Sequence, residues 1–85
     1  MFEMPNKCQD YKFSDKVIVD KSIFVLGYNP KSAEPFATWR YDREGDVFLH
    51  GRYFANEYDA IISLCARAKK YAEVMKERKQ PDMER

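Results

Sequence analysis

The stretch FATWRYDREGDVFLHGRYF, residues 36–54, carries the side chains best suited to recognition chemistry: Arg40, Arg52, Thr38 and the single histidine, His50, set among Phe36, Phe48 and Phe54. Arginine offers a rigid fork of donors for a carboxylate or phosphate, and aromatic rings offer area for packing or stacking. Catalytic chemistry demands more. A general acid or base needs a partner that tunes it, and the strand pairing derived below sets His50 against Thr38 and beside Arg52, with no carboxylate on that face. Ser63 and Cys65 fall in a helical stretch with no strand-to-helix elbow before them, and Gly27, Gly45 and Gly51 form no phosphate-binding pattern. Cys8 and Cys65 lie far apart without CxxC spacing, and one histidine does not complete a tetrahedral set with them. The expectation is a protein that is not an enzyme and holds no cofactor and no metal. Its cysteines are expected to be reduced thiols, Cys65 partly buried on a helix and Cys8 in a loose segment.

The elements that position these residues follow from local signals. Asp42-Arg43-Glu44-Gly45 has aspartate at the first position of a type I turn and glycine at the fourth, the pattern of a three-residue hairpin loop with a left-handed glycine. That closure pairs Asp42 with Asp46, Arg40 with Phe48, Trp39 with Leu49, Thr38 with His50 and Phe36 with Arg52. Strand alternation then sorts two faces. Ala37, Trp39, Tyr41, Val47, Leu49, Gly51 and Tyr53 make one face without a charge; Phe36, Thr38, Arg40, Phe48, His50, Arg52 and Phe54 make the other. A two-residue loop would put Arg40 against Leu49 and mix the faces, so the three-residue loop is the more consistent reading.

Upstream, Val17–Val19 and Ile23–Leu26 are short β-branched runs. The second is the better strand, closed by Asn29-Pro30, because proline biases the residue before it away from the helical region. Downstream, Asn56 suits an N-cap, Glu57 and Asp59 favour the first turn, and Lys76, Arg78 and Lys79 favour the last, with Pro81 as the stop. Ile61, Leu64, Ala68, Tyr71 and Met75 recur at helical spacing and define an amphipathic helix of about 23 residues.

These elements give an α+β fold: a three-stranded antiparallel β-meander packed on one long C-terminal α-helix. The expected organisation is a loosely ordered arm over 1–15, a single domain over 16–80 and a tail over 81–85. Eighty-five residues leave room for one core only. A hydrophobic fraction of 45% and aromatic fraction of 15% exceed those of disordered chains, so the low mean hydropathy of −0.70 reflects a charged surface. Fifteen basic against fourteen acidic residues exclude both a polybasic nucleic-acid glove and an acidic mimic of DNA. The N-terminus MFEMPNKCQDYKF has no basic head before an apolar run, and 18 consecutive apolar residues occur nowhere, so a cytoplasmic protein without a membrane partner is expected.

The uncharged face, with Trp39, Leu49 and Tyr53, is expected to receive Ile61, Leu64 and Ala68 of the helix. This leaves the face of Phe36, Thr38, Arg40, Phe48, His50 and Arg52 for a partner, unless residues 1–20 fold back over it. A protein partner fits best, because aromatic and arginine clusters on a rigid element are typical interface anchors. Nucleic acid is the alternative, with arginine and threonine reading base edges from a sheet in the major groove. A helix of 23 residues, about 35 Å long, overhangs seven-residue strands of about 23 Å. Its end, with Tyr71, Val74 and Met75, is a second surface for a homodimer.

From Trp39 onward, VFLHGRYFANEYDA resembles the third strand and helix opening of the ethylene-response-factor DNA-binding domains and the arm-binding domains of phage-type integrases. The resemblance spans roughly residues 23–72 and implies three strands, a helix and a DNA-reading sheet face. The sequence departs where those domains carry dense arginines: SIFVLGYN has no charge, and residues 36–54 balance three arginines with three acids. The elements LGYNP, PFATW, FLHGRYF and DAI also resemble small accessory proteins of bacterial mobile elements, which implies a modulator of a host protein.

Overall fold

The computed structural model describes residues 5–79. The α+β class holds, with an antiparallel sheet followed by one C-terminal helix, but the described sheet has five strands instead of three. β1 (Lys7–Cys8), β2 (Tyr11–Val19), β3 (Ser22–Tyr28), β4 (Phe36–Asp42) and β5 (Val47–Phe54) pair in chain order, and α1 spans Glu57–Lys79. β1 and the first half of β2 come from the stretch read as a loose arm, and the β-branched run Val17–Val19 completes β2. Residues 7–15 form β1 and the first half of β2, joined by a tight turn in which Gln9 and Asp10 both take positive φ, 51° and 69°. That is the backbone of a type I′ hairpin, built here without the glycine that normally announces it. Phe2, the stop at Pro81 and the tail over 81–85 lie outside the described residues.

The centre of the sheet is β3, buried at every position from Ser22 to Gly27. Its two faces feed two cores. One contains Tyr11, Ile23, Val25, Ala37, Trp39 and Tyr41, with Cys8, Phe13 and Phe48 packed against it. Here the curled sheet covers itself with its own rings: Tyr11 meets Trp39 edge-on at 5.5 Å between centroids and Tyr53 at 5.8 Å, so β2 reaches across to β5. The Tyr53 hydroxyl donates to Gln9 Oε1 (2.9 Å) and fastens that closure. The other core contains Phe24, Leu26, Ala60, Leu64 and Ala68, with Val19, Phe36, Phe54 and Tyr71 around it.

The helix therefore packs on the face opposite to the one expected. Trp39 is buried, but among Tyr11, Phe13, Phe48 and Tyr53, not against Ile61, Leu64 and Ala68. Within α1 the buried seam is Ala60, Leu64 and Ala68, and Ile61 is 37% exposed. The helix start is as expected: Asn56 Oδ1 accepts from the Asp59 N–H (2.8 Å), and Asn56 Nδ2 donates to the Asp59 carboxylate (3.0 Å). The cysteines trade roles, since Cys65 is exposed and Cys8, in β1, packs against the aromatic core.

A separate difference lies in the hairpin, and it exchanges the faces of residues 47–49 only. Asp46, not Gly45, takes the left-handed conformation (φ 54°), and its N–H donates to the Asp42 carbonyl (2.8 Å), which closes a loop over residues 43–46. Asp42 pairs with Val47, Tyr41 with Phe48 and Arg40 with Leu49. This is the pairing that mixes the faces, and the chain corrects it by a bulge. His50 takes φ 57°, Trp39 stands opposite the pair His50–Gly51, and Thr38 then meets Arg52 while Phe36 meets Phe54. Phe48 is thus delivered to the Trp39 side, where its ring lies 4.8 Å from that of Tyr41 and 5.4 Å from that of Phe13.

Two outcomes test this packing. A Cβ on Gly51 would lie 2.5 Å from Trp39 Nε1, with the indole hemmed in by four other rings. Gly51→Ala should lower stability by about 2 kcal/mol and the melting temperature by roughly 10 °C, and Trp39→Ala by about 3–5 kcal/mol, in urea and thermal denaturation. Gly45→Ala, whose new Cβ meets only the side chains of Asp42 and Val47 at 3.2 Å or more, should change little. The second outcome concerns Tyr41, whose phenol is raised to about 12 by desolvation and by its donation to Asp46 Oδ1. The unfolded chain loses this proton near 10 and the native chain later, so the fold should keep its full stability below pH 10 and lose it as pH climbs toward 12. Tyr41→Phe should flatten that alkaline loss while the tyrosinate ultraviolet band loses its latest step.

Candidate functional site

The covered face retains an opening. Between the far end of β4–β5 and the second half of α1 lies a cleft of about 440 Å³, lined by Phe24, Arg40, His50, Arg52, Ala66, Arg67, Lys70, Tyr71 and Val74. Its floor is apolar: Phe24 is buried, and the Tyr71 ring meets it edge-on at 5.7 Å. Its rim is basic, with four cations and a histidine and no carboxylate among the lining residues.

Arg67 holds the two walls together. Its Nη1 donates to Thr38 Oγ1 (2.9 Å) and to the Thr38 carbonyl (3.4 Å), and its Nη2 donates to the His50 carbonyl (2.7 Å). The bulge matters here. By adding a residue opposite Trp39 it places the His50 carbonyl where a helix side chain can cap it, so the same irregularity that restores the faces anchors the helix. Burial, then the nearby guanidinium groups of Arg52 and Arg40, push Arg67 below the ordinary arginine range. Arg40 is half-buried with its Cζ 5.3 Å from the Tyr71 centroid, a cation–π placement, and its Nε is buried without a hydrogen-bond partner among the described residues. Arg52 and Lys70 are exposed and have no described ion-pair partner.

Of the six residues singled out from sequence, Arg40, His50 and Arg52 meet in this cleft. Thr38 is fully buried beneath it as the acceptor for Arg67. Phe36 packs into the helix-side core beside Tyr28 at 5.1 Å, and Phe48 lies on the other face, so neither belongs to the site. Sequence reasoning missed Arg67, Lys70, Tyr71 and Val74 as neighbours of the arginines, because it sent the helix to the wrong face. The signal was available: Arg67, Lys70, Tyr71 and Val74 recur at three- and four-residue spacing beside the Leu64–Ala68 seam. Among residues 5–20, Tyr11 and Phe13 of β2 cover the Trp39 face, while Val19 borders the helix-side core that α1 covers.

Among the described residues, no three His, Cys, Asp or Glu side chains come together as a metal set, and no helix is long and apolar enough to cross a membrane. No protein-family model, curated protein or solved structure matches this chain.

The clamp is testable. Arg67→Met removes three hydrogen bonds to a charged donor and leaves a buried hydroxyl and two carbonyls short of partners, so it should cost about 2–3 kcal/mol in urea denaturation. Arg67→Lys should recover only part of this, because one ammonium on a flexible stem does not span Thr38 and His50 as the guanidinium fork does. A fully stable Arg67→Met would show that relief of crowding among the arginines outweighs the hydrogen bonds.

Proposed function

We propose that this is a small non-catalytic binding module that recognises another protein through the cleft between β5 and α1. The observation that carries the reading is the cleft itself: an apolar floor of Phe24 and Tyr71 beneath converging cations that have no counter-charge among the lining residues. Uncompensated charge beside desolvated aromatic surface is the composition of an interface anchor. The site groups make no acid–base or nucleophile pair, since His50 lies among cations and its carbonyl serves the helix.

The nucleic-acid alternative draws on the same arginines with less support. A sheet that reads the major groove needs an open face bearing them, and here Arg40 and Arg52 share their face with α1, while the opposite face is filled by Tyr11, Phe13, Trp39 and Phe48. With a formal charge of +1, the chain also lacks the extended basic track that follows a phosphate backbone. Self-association through Tyr71, Val74 and Met75 would use one wall of the same cleft, as Tyr71 and Val74 line it.

A photo-crosslinking residue at position 70 of the full chain should capture a protein in the cells of origin, and one at Lys16, exposed on β2, should not. Arg52→Glu should abolish that capture without lowering the melting temperature. Capture of a second copy of the chain would assign the cleft to self-association. Binding of mixed duplex DNA that persists at physiological salt in a gel shift, and is lost in Arg52→Glu, would replace the protein reading with the nucleic-acid one.

A further inference from the structure

We infer that the occupant of the cleft is an acidic segment of a partner protein, a carboxylate received by Arg40, Arg52 and Lys70 with an adjoining apolar side chain laid on Phe24, Tyr71 and Val74. The inference rests on the reading of the cleft as the binding site and names what that site selects. Charge segregation carries it. The chain holds nearly equal numbers of basic and acidic residues, yet the lining of this one cleft collects three arginines, a lysine and a histidine and excludes every acid. The contrast within the molecule is direct: the depression around Lys7, Lys12 and Lys31 contains Asp10, and the exposed Lys21 pairs with Glu44 at 2.6 Å. In those two places a cation has an acid beside it; in the lining of this cleft none does.

Arg40 gives a second, independent observation. Its Nε, like that of Arg43 outside the cleft, is buried and without a described partner, and its guanidinium carbon sits over the Tyr71 ring. A buried donor left unpaired is unfavourable, and an incoming acceptor would relieve it. An anion would also offset the repulsion that Arg40 and Arg52 exert on Arg67. Arg67 itself is engaged with Thr38 and His50 and so contributes field more than free donors. The apolar lining separates a peptide from a bare anion. Phe24, Ala66, Tyr71 and Val74 give nothing to inorganic phosphate, whereas a leucine or phenylalanine next to a glutamate fills that floor.

The test titrates the uniformly nitrogen-labelled full chain, followed by amide spectra, with three probes: a short capped peptide alternating glutamate with leucine and phenylalanine, its glutamine counterpart, and a single-stranded oligonucleotide of matching charge. The acidic peptide should shift amides of Arg40, His50–Arg52 and Arg67–Tyr71 saturably and bind at least tenfold more tightly than the glutamine peptide, with inorganic phosphate competing weakly. Arg52→Ala, at an exposed side chain with no described hydrogen bond, should lose most of that difference and keep its melting temperature. Equal binding of both peptides in the cleft would overturn the acidic selection while leaving the binding module standing. Tighter binding of the oligonucleotide at physiological salt, or no shift at these residues at millimolar acidic peptide, would also overturn the inference. Crosslinks confined to another surface would sink the module reading itself.

Discussion

Trp39 needs room that only two small residues provide, and most of the architecture follows from how that room is made. Its ring packs toward Gly27, where an added Cβ would meet the ring at 3.3 Å, and toward Gly51, where it would meet the indole nitrogen at 2.5 Å. An indole on a strand can sink into a sheet only where neighbouring strands lack side chains on that side, and β3 and β5 each supply such a gap. The bulge at His50 brings Gly51 into register with it. Without the extra residue, β5 would present a side chain in place of the gap.

Once sunk, the indole fixes which layer goes where. The rings of Tyr11, Phe13, Phe48 and Tyr53 close over it as the sheet curls, so that face has no flat surface left for a helix. A bulge also strengthens local twist, which favours the curl. The helix must then use the other face, and its seam is cut for close approach: Ala60, Leu64 and Ala68 alternate small and large against Phe24 and Leu26. Arg67, next to that seam, reaches Thr38 and the His50 carbonyl of the bulge. Packing on one face and hydrogen bonding on the other thus share one irregularity in β5.

Much of this was legible in the sequence, and the errors have physical sources. The start of α1, its Asn56 cap, β3, β4 and β5 follow from periodicity, capping chemistry and turn residues, which act locally. The hairpin loop did not, because Asp46 occupies a left-handed position that glycine is expected to take, and the one-residue change of register exchanges the faces of Val47, Phe48 and Leu49 until the bulge restores them. β1 was hidden for the same reason, with Gln9 and Asp10 in a turn normally marked by glycine. One global signal was present and underused. The run SIFVLG is apolar without alternation, the pattern of a strand covered on both faces, and a single helix covers only one. Something else had to cover Trp39, and Tyr11 and Phe13 were available to do so. Within the site, Arg40, His50 and Arg52 were found because they lie on neighbouring strands, whereas Arg67 and Lys70 depend on a helix docking that strand alternation alone does not determine.

The cleft is where local consistency breaks, and the break is informative. Three guanidinium groups converge at the end of an apolar core in a chain short enough that a few kcal/mol decide whether it folds. Arg67 has a structural reason to be there, since its fork satisfies Thr38 and the bulge. Arg52 and Lys70 have none: they make no described hydrogen bond, and Arg52 opposes the charged state of the residue that clamps the helix. A domain selected for stability alone would place a glutamate or a neutral side chain at position 52, within reach of both Arg40 and Arg67. Sequences depart from mutual agreement between charge and packing mainly where another molecule completes the arrangement. The interface proposed at this rim would then be framed by the same arginine that ties the helix to Thr38 and the bulge.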